Sequence, residues 1–233
     1  MSKFFIPANN PEDWKPLVGP ENWKTGYSAK ALAYCWQEAN DFPESVRSVF
    51  MKSGIELFQN IELLLAFPEY KTPLLGGRRS AQNDIFILAK GNNQLISITV
   101  EGKVSEPFGQ TVAEWKSENS RGKQTRLKFL LNKLQLDEEQ VDHIRYQLLH
   151  RTASAIIEAE KFKAENALML VHSFSQSDEG FEDYRQFLAL FGLKNGKPDS
   201  LVFAKNIDGI DLYFSWVRGD KKYLSKWWTG GLF

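Results

Sequence analysis

Two apolar runs joined by a short polar turn constrain the fold of this 233-residue chain more than any other feature. The runs are residues 85–89 and 95–100, and residues 90–94 between them read Lys-Gly-Asn-Asn-Gln. Asn92 and Asn93 tolerate the positive φ angles that tight hairpin turns demand. The sequence therefore predicts a β-hairpin near the middle of the chain.

The open end of this hairpin is predicted to bring two acidic residues together. With the two asparagines at the tip, Leu88 faces Ser97, and Asp84 faces Glu101. Opposite residues have Cβ atoms about 4.5–5.5 Å apart, where like charges destabilise a sheet. A divalent cation relieves such repulsion, since Mg²⁺ commonly binds through one or two carboxylates plus waters and substrate phosphate. Lys103 shares the face of Glu101, because alternate side chains of a strand point the same way.

A surface hairpin with solvated charges at its open end is the alternative interpretation. An Asp followed at some distance by Glu-x-Lys occurs by chance in many chains, and a register shift of one residue would separate the two acids. Both acids, however, end strongly apolar strands of the same hairpin. That context favours a functional site at Asp84, Glu101 and Lys103.

The remaining patterns alternate between helical and strand periodicity. Helices are predicted at residues 28–39, 44–67, 120–134, 137–163 and 181–193, and further strands at 71–75, 167–174, 201–204 and 210–217. Asp137 and Gln140 are predicted to form a capping box at the start of the helix at residues 137–163. The order of elements predicts one α/β domain without a linker.

Asp84 on one strand and Glu101-x-Lys103 on the next resemble the PD-(D/E)xK nuclease superfamily, which includes many restriction and repair endonucleases. The chain looks like one of the uncharacterised bacterial members. The resemblance covers residues 44–175 and implies a restriction-endonuclease-like core, in which α-β-β-β-α-β elements form a mixed sheet flanked by helices. It implies Asp84 and Glu101 as ligands of Mg²⁺ or Mn²⁺, and Lys103 as the lysine that assists an attacking water. Asn83 stands where the family motif has proline.

The resemblance divides the single domain, residues 1–233, into three parts. Residues 1–43 are predicted to form an N-terminal arm and helix, and residues 176–233 a C-terminal helix and strand pair. The nuclease-like core lies between these two additions. A long insert at residues 104–136 separates the third core strand from the second core helix, which departs from the family pattern.

The two core helices offer further candidate site residues. Members of the family often add an acid from the first helix to the metal site, and here Glu62 beside the buried stripe is favoured over Glu56 on the polar face. The alternative is that both glutamates are solvated. On the second helix Gln147 is implied as a catalytic residue that orients water or substrate. Arg151, four residues later, is predicted to contact phosphate, with an ordinary helix-surface pair as the alternative. The three histidines are too scattered to indicate a metal triad.

A basic cluster in the insert is the best signal for nucleic-acid binding outside the core. Its members are Arg121, Lys123, Arg126, Lys128 and Lys133, with no acidic residue between positions 119 and 136. Such a cluster can follow a phosphate backbone, although a solvated helix face is the alternative. Because 29 acidic and 29 basic residues cancel, binding of DNA, which is favoured over RNA, depends on a local patch.

Composition indicates the compartment. No run approaches the roughly 18 apolar residues needed to cross a bilayer, so no membrane partner is expected. Residues 1–7 do not read as a signal peptide. Cys35 is the only cysteine, and a reducing cytoplasm is therefore the expected location. The sequence leaves a homodimer open.

The expected function is metal-dependent hydrolysis of phosphodiester bonds, with DNA as the favoured substrate. The alternative is a catalytically silent module that keeps the nuclease fold and binds nucleic acid or a protein partner. The presence of Asp84, Glu101 and Lys103 together favours the enzyme.

Overall fold

A computed structural model describes residues 8–118 and 120–225 of the chain. Its strands are β1 (Glu62–Thr72), β2 (Ala81–Gly91), β3 (Gln94–Lys103), β4 (Asn166–Ser173), β5 (Ser200–Ile207) and β6 (Ile210–Arg218). In the described residues they form one six-stranded sheet in the order β1-β2-β3-β4-β6-β5. The pairs β3–β4 and β4–β6 are parallel and the others antiparallel, so the sheet is mixed.

Helices flank this sheet, which confirms the predicted mixed α/β arrangement. They are α1 (Lys15–Val18), α2 (Ser28–Ala39), α3 (Glu44–Lys52), α4 (Glu56–Gln59), α5 (Val112–Lys116), α6 (Arg121–Leu134), α7 (Tyr146–Phe162) and α8 (Phe181–Ala189). Short 3₁₀ segments occur at Pro11–Trp14, Glu138–Gln140 and Lys221–Leu224. Among the described residues, no helix has the length and apolar character to cross a membrane.

The predicted hairpin is confirmed together with its register. β2 and β3 pair antiparallel, and the two asparagines of the turn take positive φ angles of 44° and 64°. The last residue pair at the open end joins Ile85 to Val100. Asp84 and Glu101 follow directly after that pair, on neighbouring strands, as the turn residues predicted.

The polar face of β3 is pressed against α7. Ser97 and Thr99 donate hydrogen bonds to the carbonyl oxygens of Ala155 (2.8 Å) and Arg151 (3.1 Å) in that helix. The core on this side joins α6, α7 and α8 to the sheet. The apolar residues of β3 point the other way and pack in a second core with α2, α3 and α4. This alternation aims the polar end of β3 at the first turns of α7.

The predicted helix at residues 44–67 is wrong in its second half. α3 ends at Lys52, Gly54 takes a φ of 70°, and the chain enters β1 after the single turn of α4. Pairing with β2 along the sheet edge overrides the helical spacing of the leucines. Glu62 consequently lies in a strand, exposed and opposite Lys90 beside the hairpin turn, at the other end of the sheet from Asp84.

The predicted helix at residues 137–163 begins later than expected. Its helical part starts at Tyr146, and Asp137 makes no side-chain cap. A β-bridge between Thr111 and Arg145 holds the residues just before α7 in an extended conformation. The insert therefore fixes where this helix begins.

The predicted strand at residues 71–75 is wrong in its bounds, because β1 begins at Glu62 and ends at Thr72. The other predicted elements agree with the structure to within a few residues. The helices at 28–39 and 120–134 are α2 and α6, and the insert at 104–136 contains α5 and α6. The predicted arm and C-terminal part include residues 1–7 and 226–233, which lie outside the described residues.

Candidate active site

Three carboxylates come from three adjacent strands at one end of the sheet. Asp84 and Glu101 lie where β2 and β3 leave their ladder. Glu69 lies on β1 between the pairs Pro68–Ile85 and Tyr70–Asn83, so its register position is opposite Asp84. Its φ of 52° is left-handed, a strained conformation for glutamate that is often found at functional sites.

These carboxylates open into one cleft of about 330 Å³. Its charged and polar lining includes Ser28, Glu69, Gln82, Asp84, Glu101, Lys103, Glu106 and Arg151. Four carboxylates therefore meet two cationic side chains in this cleft. Such an excess of negative charge suits a cationic ligand.

Glu101 is buried in a shell of donors. Its carboxylate accepts hydrogen bonds from Arg151 Nε and from Gln147 Nε2 (2.7 Å). It also forms an ion pair with Lys103 Nζ at 2.9 Å. Lys103 Nζ also donates to Gln147 Oε1 at 3.1 Å, which closes the network. Burial disfavours ionisation, but Arg151 and Lys103 outweigh it and lower the pKa of Glu101 to about 2. Glu101 is therefore ionised throughout the physiological pH range.

For Asp84, the surroundings disfavour ionisation rather than favour it. Its Oδ2 accepts a hydrogen bond from the Gly102 amide at 2.7 Å, and its Oδ1 lies 3.8 Å from Arg151 Nη2. Burial, followed by the charges of Glu101 and Glu69, raises the pKa of Asp84 well above its ordinary value. Burial likewise raises the pKa of Glu69, although Gln82 donates a hydrogen bond to it at 2.6 Å. Two of the three acids thus resist ionisation unless a cation joins them.

The donor set fits a divalent cation held through one or two carboxylates rather than through a complete protein cage. Within residues 8–118 and 120–225, no three His, Cys, Asp or Glu side chains are arranged as a metal-binding group. Asp84 Oδ1 has no hydrogen-bond donor among the described residues, and Glu69 shares its cleft. Glu106 is committed elsewhere, because it accepts from the amides of Ser28 and Val104, both at 2.8 Å. Magnesium commonly retains several waters beside one or two carboxylates.

Gln147 and Arg151 both reach the site, from successive turns of α7. Arg151 is only 6% exposed and holds Glu101, so a phosphate in the cleft would meet an arginine that already has a buried partner. Direct contact of Arg151 with phosphate stays a prediction, whereas its structural role as the partner of Glu101 is observed. None of the three histidines contributes to the carboxylate cluster in the described residues.

The structure separates the predicted basic cluster. Arg121 and Lys128 are exposed, whereas Lys123 is paired with Glu118 at 2.6 Å. The expectation that Arg126 contacts phosphate is wrong: it is buried, and its guanidinium donates to the carbonyl oxygens of Leu75 (3.2 Å) and Leu74 (3.4 Å).

The expectation for Glu62 as the third acid is also wrong, because the strand carries it to the far end of the sheet. Glu69 takes that place in the cleft. Sequence reasoning missed it because it placed residues 44–67 in one helix and the acid just beyond its end. The signal that was available is the position of Glu69 seven residues after Glu62, one residue past Pro68, in a run of apolar residues that a strand explains equally well.

Comparison with known families places the chain in one family. The family described as "Domain of unknown function (DUF6946)" matches residues 7–221. The chain therefore belongs to the DUF6946 family. Nothing matches it among curated proteins or among solved structures.

Proposed function

We propose that this protein is a metal-dependent nuclease that hydrolyses phosphodiester bonds, with DNA as the favoured substrate. The observation that carries the proposal is the pairing of ionised Glu101 with Asp84, whose pKa is raised, beside Lys103 in one cleft. Acids at one site with opposite pKa shifts are typical of catalytic centres. A divalent cation would neutralise the acidic cleft, which otherwise repels a polyanion.

A Mg²⁺ or Mn²⁺ ion would supply Lewis-acid stabilisation of the developing charge and a water of lowered pKa. Asp84 and Glu101 would hold the ion, with Glu69 able to bind one of its waters. Lys103 would donate to the attacking water or to a phosphate oxygen, where a fixed cation stabilises the transition state. Gln147 holds Lys103 and Glu101 in fixed positions, because it accepts a hydrogen bond from Lys103 Nζ at 3.1 Å and donates one to Glu101 at 2.7 Å.

The order of elements supports a restriction-endonuclease-like core. α3, β1, β2, β3, α7 and β4 follow in the order α-β-β-β-α-β, with the acids on β2 and β3. Exposed Arg121 and Lys128 remain candidates for contact with the nucleic-acid backbone. The proposed location is the cytoplasm, where the protein would act alone or as a homodimer. These assignments rest on the resemblance and on the geometry of the cleft together.

The second candidate is a nuclease-fold module without turnover. Its supporting observation is that Arg151, Lys103 and Gln147 already engage both oxygens of Glu101. If these bonds persist when nucleic acid binds, they leave the carboxylate about one lone-pair position on Oε2 for a metal, which disfavours strong coordination. Such a module would bind its partner through the same cleft and cleave nothing.

Cleavage and metal uptake together decide between the two candidates. We expect the wild type to cleave single- or double-stranded DNA with Mg²⁺ or Mn²⁺ and to be inactive in EDTA. Lys103→Met should reduce the rate about 100-fold or more while leaving Mn²⁺ binding by calorimetry intact, since loss of one transition-state donor has that effect. Lys90→Met, at the other end of the same hairpin, is the matched control.

The carboxylates have a matched control in Glu62, which lies on the sheet but far from the cleft. Asp84→Asn with Glu101→Gln should abolish Mn²⁺ uptake, whereas Glu62→Gln should not change it. Equal uptake by all three proteins would overturn the metal site. Metal uptake without cleavage of any DNA or RNA substrate would establish the silent module instead.

A further inference from the structure

A second cleft adjoins the acidic one on the other side of Lys103. It measures about 290 Å³, just below the range for small-molecule pockets, which is about 300–1,000 Å³. Lys103 and Gln147 line it together with Phe108, Gln110, Trp115 and His150. The two clefts therefore share the lysine that the proposed chemistry requires.

The walls of this second cleft are aromatic. Trp115 and Tyr146 stack with ring centroids 4.0 Å apart and an interplanar angle of 8°. His150 follows one turn later on α7, with its ring 5.0 Å from that of Tyr146. Lys103 Nζ lies 4.7 Å from the centre of the Phe108 ring, so its cation is held between the aromatic wall and the carboxylates.

The cleft also contains an unused polar atom. His150 lines the cleft, and its Nδ1 is buried and has no hydrogen-bond partner among the described residues. Burial, and then the charge of Arg151, lowers the pKa of His150 well below its ordinary value, so the ring is neutral. A neutral ring nitrogen serves as donor or acceptor according to its tautomer. Buried polar groups ordinarily have a hydrogen-bond partner, so this nitrogen is a candidate partner for a bound ligand.

We infer that this cleft holds one unpaired nucleobase beside the phosphodiester that lies in the acidic cleft. A base is planar and presents π faces to aromatic walls and a polar edge to a group such as His150. The shared Lys103 requires that base and phosphate belong to one nucleotide or to neighbouring ones. A base in an intact duplex is stacked and cannot enter such a cleft, so the substrate is single-stranded or has its base turned out.

This inference rests on the proposed function, since it names the form of nucleic acid that the same site takes. It differs from that proposal in what it requires. The cleavage hypothesis depends on the carboxylates and a cation, whereas the base site depends on the aromatic cleft. Binding without turnover can therefore test it separately.

Binding of single-stranded DNA with one base removed tests the site. In the double variant Asp84→Asn/Glu69→Gln, which leaves two carboxylates against the two cations of the acidic cleft and prevents turnover, fluorescence anisotropy would follow a labelled 12-nucleotide strand without metal. A tetrahydrofuran abasic residue would replace each nucleotide in turn. We expect about a 10-fold loss of affinity at one position or two adjacent positions, the size of one lost stacking contact. Uniform affinity at every position, or no binding of any strand, would overturn the base site.

A variant of the aromatic cleft provides a second test of the base site. Trp115→Leu in the same background should make the position-dependent loss disappear, while Phe203→Leu, an exposed aromatic on β5, should preserve it. Circular dichroism would verify that Trp115→Leu is folded. If it is not, His150→Leu removes the unused nitrogen and should reduce discrimination among the four bases at that position. Base-dependent binding by a wild type that never cleaves would leave the site standing and overturn only the nuclease.

Discussion

At the scale of single residues, the candidate site is governed by two carboxylates in opposed surroundings. Arg151, Lys103 and Gln147 surround Glu101, whereas Asp84 has one amide donor and faces a neighbouring acid. Folding therefore stabilises the charge on Glu101 and disfavours it on Asp84. The difference arises from which strand end lies nearest α7, not from the residue types.

The raised pKa of Asp84 predicts how stability changes with pH. Between the ordinary pKa of 3.8 and the higher value in the fold, the folded state binds more protons than the unfolded state. Stability contributed by this group is therefore lost as pH rises through that window. Asp84→Asn should raise the free energy of unfolding at pH 8 by about 1–3 kcal/mol, a usual cost of a poorly satisfied buried group. The gain should vanish near pH 4.

Urea denaturation without divalent cations, at pH 4, 6 and 8, would measure this difference. Glu62→Gln is the matched control, because it neutralises an exposed acid on the neighbouring strand and should show no pH-dependent gain. Lower stability of Asp84→Asn at pH 8 would show that its bond to Gly102 and its attraction to Arg151 outweigh the repulsion. Added Mn²⁺ should stabilise the wild type and not the variant.

At the scale of elements, α6 supports the loop between β1 and β2. Arg126 donates to Leu74 O and Leu75 O, and Gly76 lies so close that a Cβ there would be 2.5 Å from Arg126 N. The helix thus fixes a loop that carries exposed Arg78 at the same end of the sheet as the carboxylates. The role of α6 is in part to hold this loop.

Arg126→Ala should therefore lower stability rather than weaken nucleic-acid binding uniformly. The carbonyl groups of buried Leu74 and of the more exposed Leu75 would lose a charged donor, at a cost of about 1–3 kcal/mol. Arg121→Ala, on the exposed first turn of the same helix, should change stability by less than about 0.5 kcal/mol. Thermal unfolding measures both. Equal melting temperatures for the two variants would show that the loop needs no such anchor.

Local signals explain which elements could be predicted. The hairpin was predictable with its register because its turn residues and its apolar alternation lie within twenty positions. β1 was not, because its leucines fit a helix equally well and only pairing with β2 decides the outcome. The same non-local pairing places Glu69 at the site and removes Glu62 from it. Burial of Arg126 depends on a loop fifty residues away, which periodicity does not report.

At the scale of the whole molecule, the segment before residue 44 belongs to the core rather than being an addition to it. Leu32 is buried against Gly102, where a Cβ would lie 3.2 Å from its side chain. Trp36 donates from Nε1 to His172 Nδ1 of β4 at 3.1 Å. The amide of Ser28 at the start of α2 donates to Glu106. This segment therefore covers one face of the sheet and one wall of the acidic cleft.

The sheet and its two cores should consequently unfold as one unit, and the chain without residues 1–43 should not fold. Deletion would expose the buried face of β3 and β4 that α2 covers, and each large side chain lost from a core costs about 3–5 kcal/mol. Typical domains have only about 5–15 kcal/mol in total. Calorimetry of the full chain should give equal calorimetric and van't Hoff enthalpies.

Point variants test the same claim without deletion. Trp36→Ala should lower the free energy of unfolding by about 3–5 kcal/mol, since it empties a core position and removes the donor to His172 Nδ1. Tyr34→Phe, which removes only a hydroxyl bonded to exposed Glu12, should cost less than about 1 kcal/mol. A fragment beginning at residue 44 that melts cooperatively with native circular dichroism would contradict the single unit. It would show that the chain from residue 44 onward folds alone and that α2 only docks upon it.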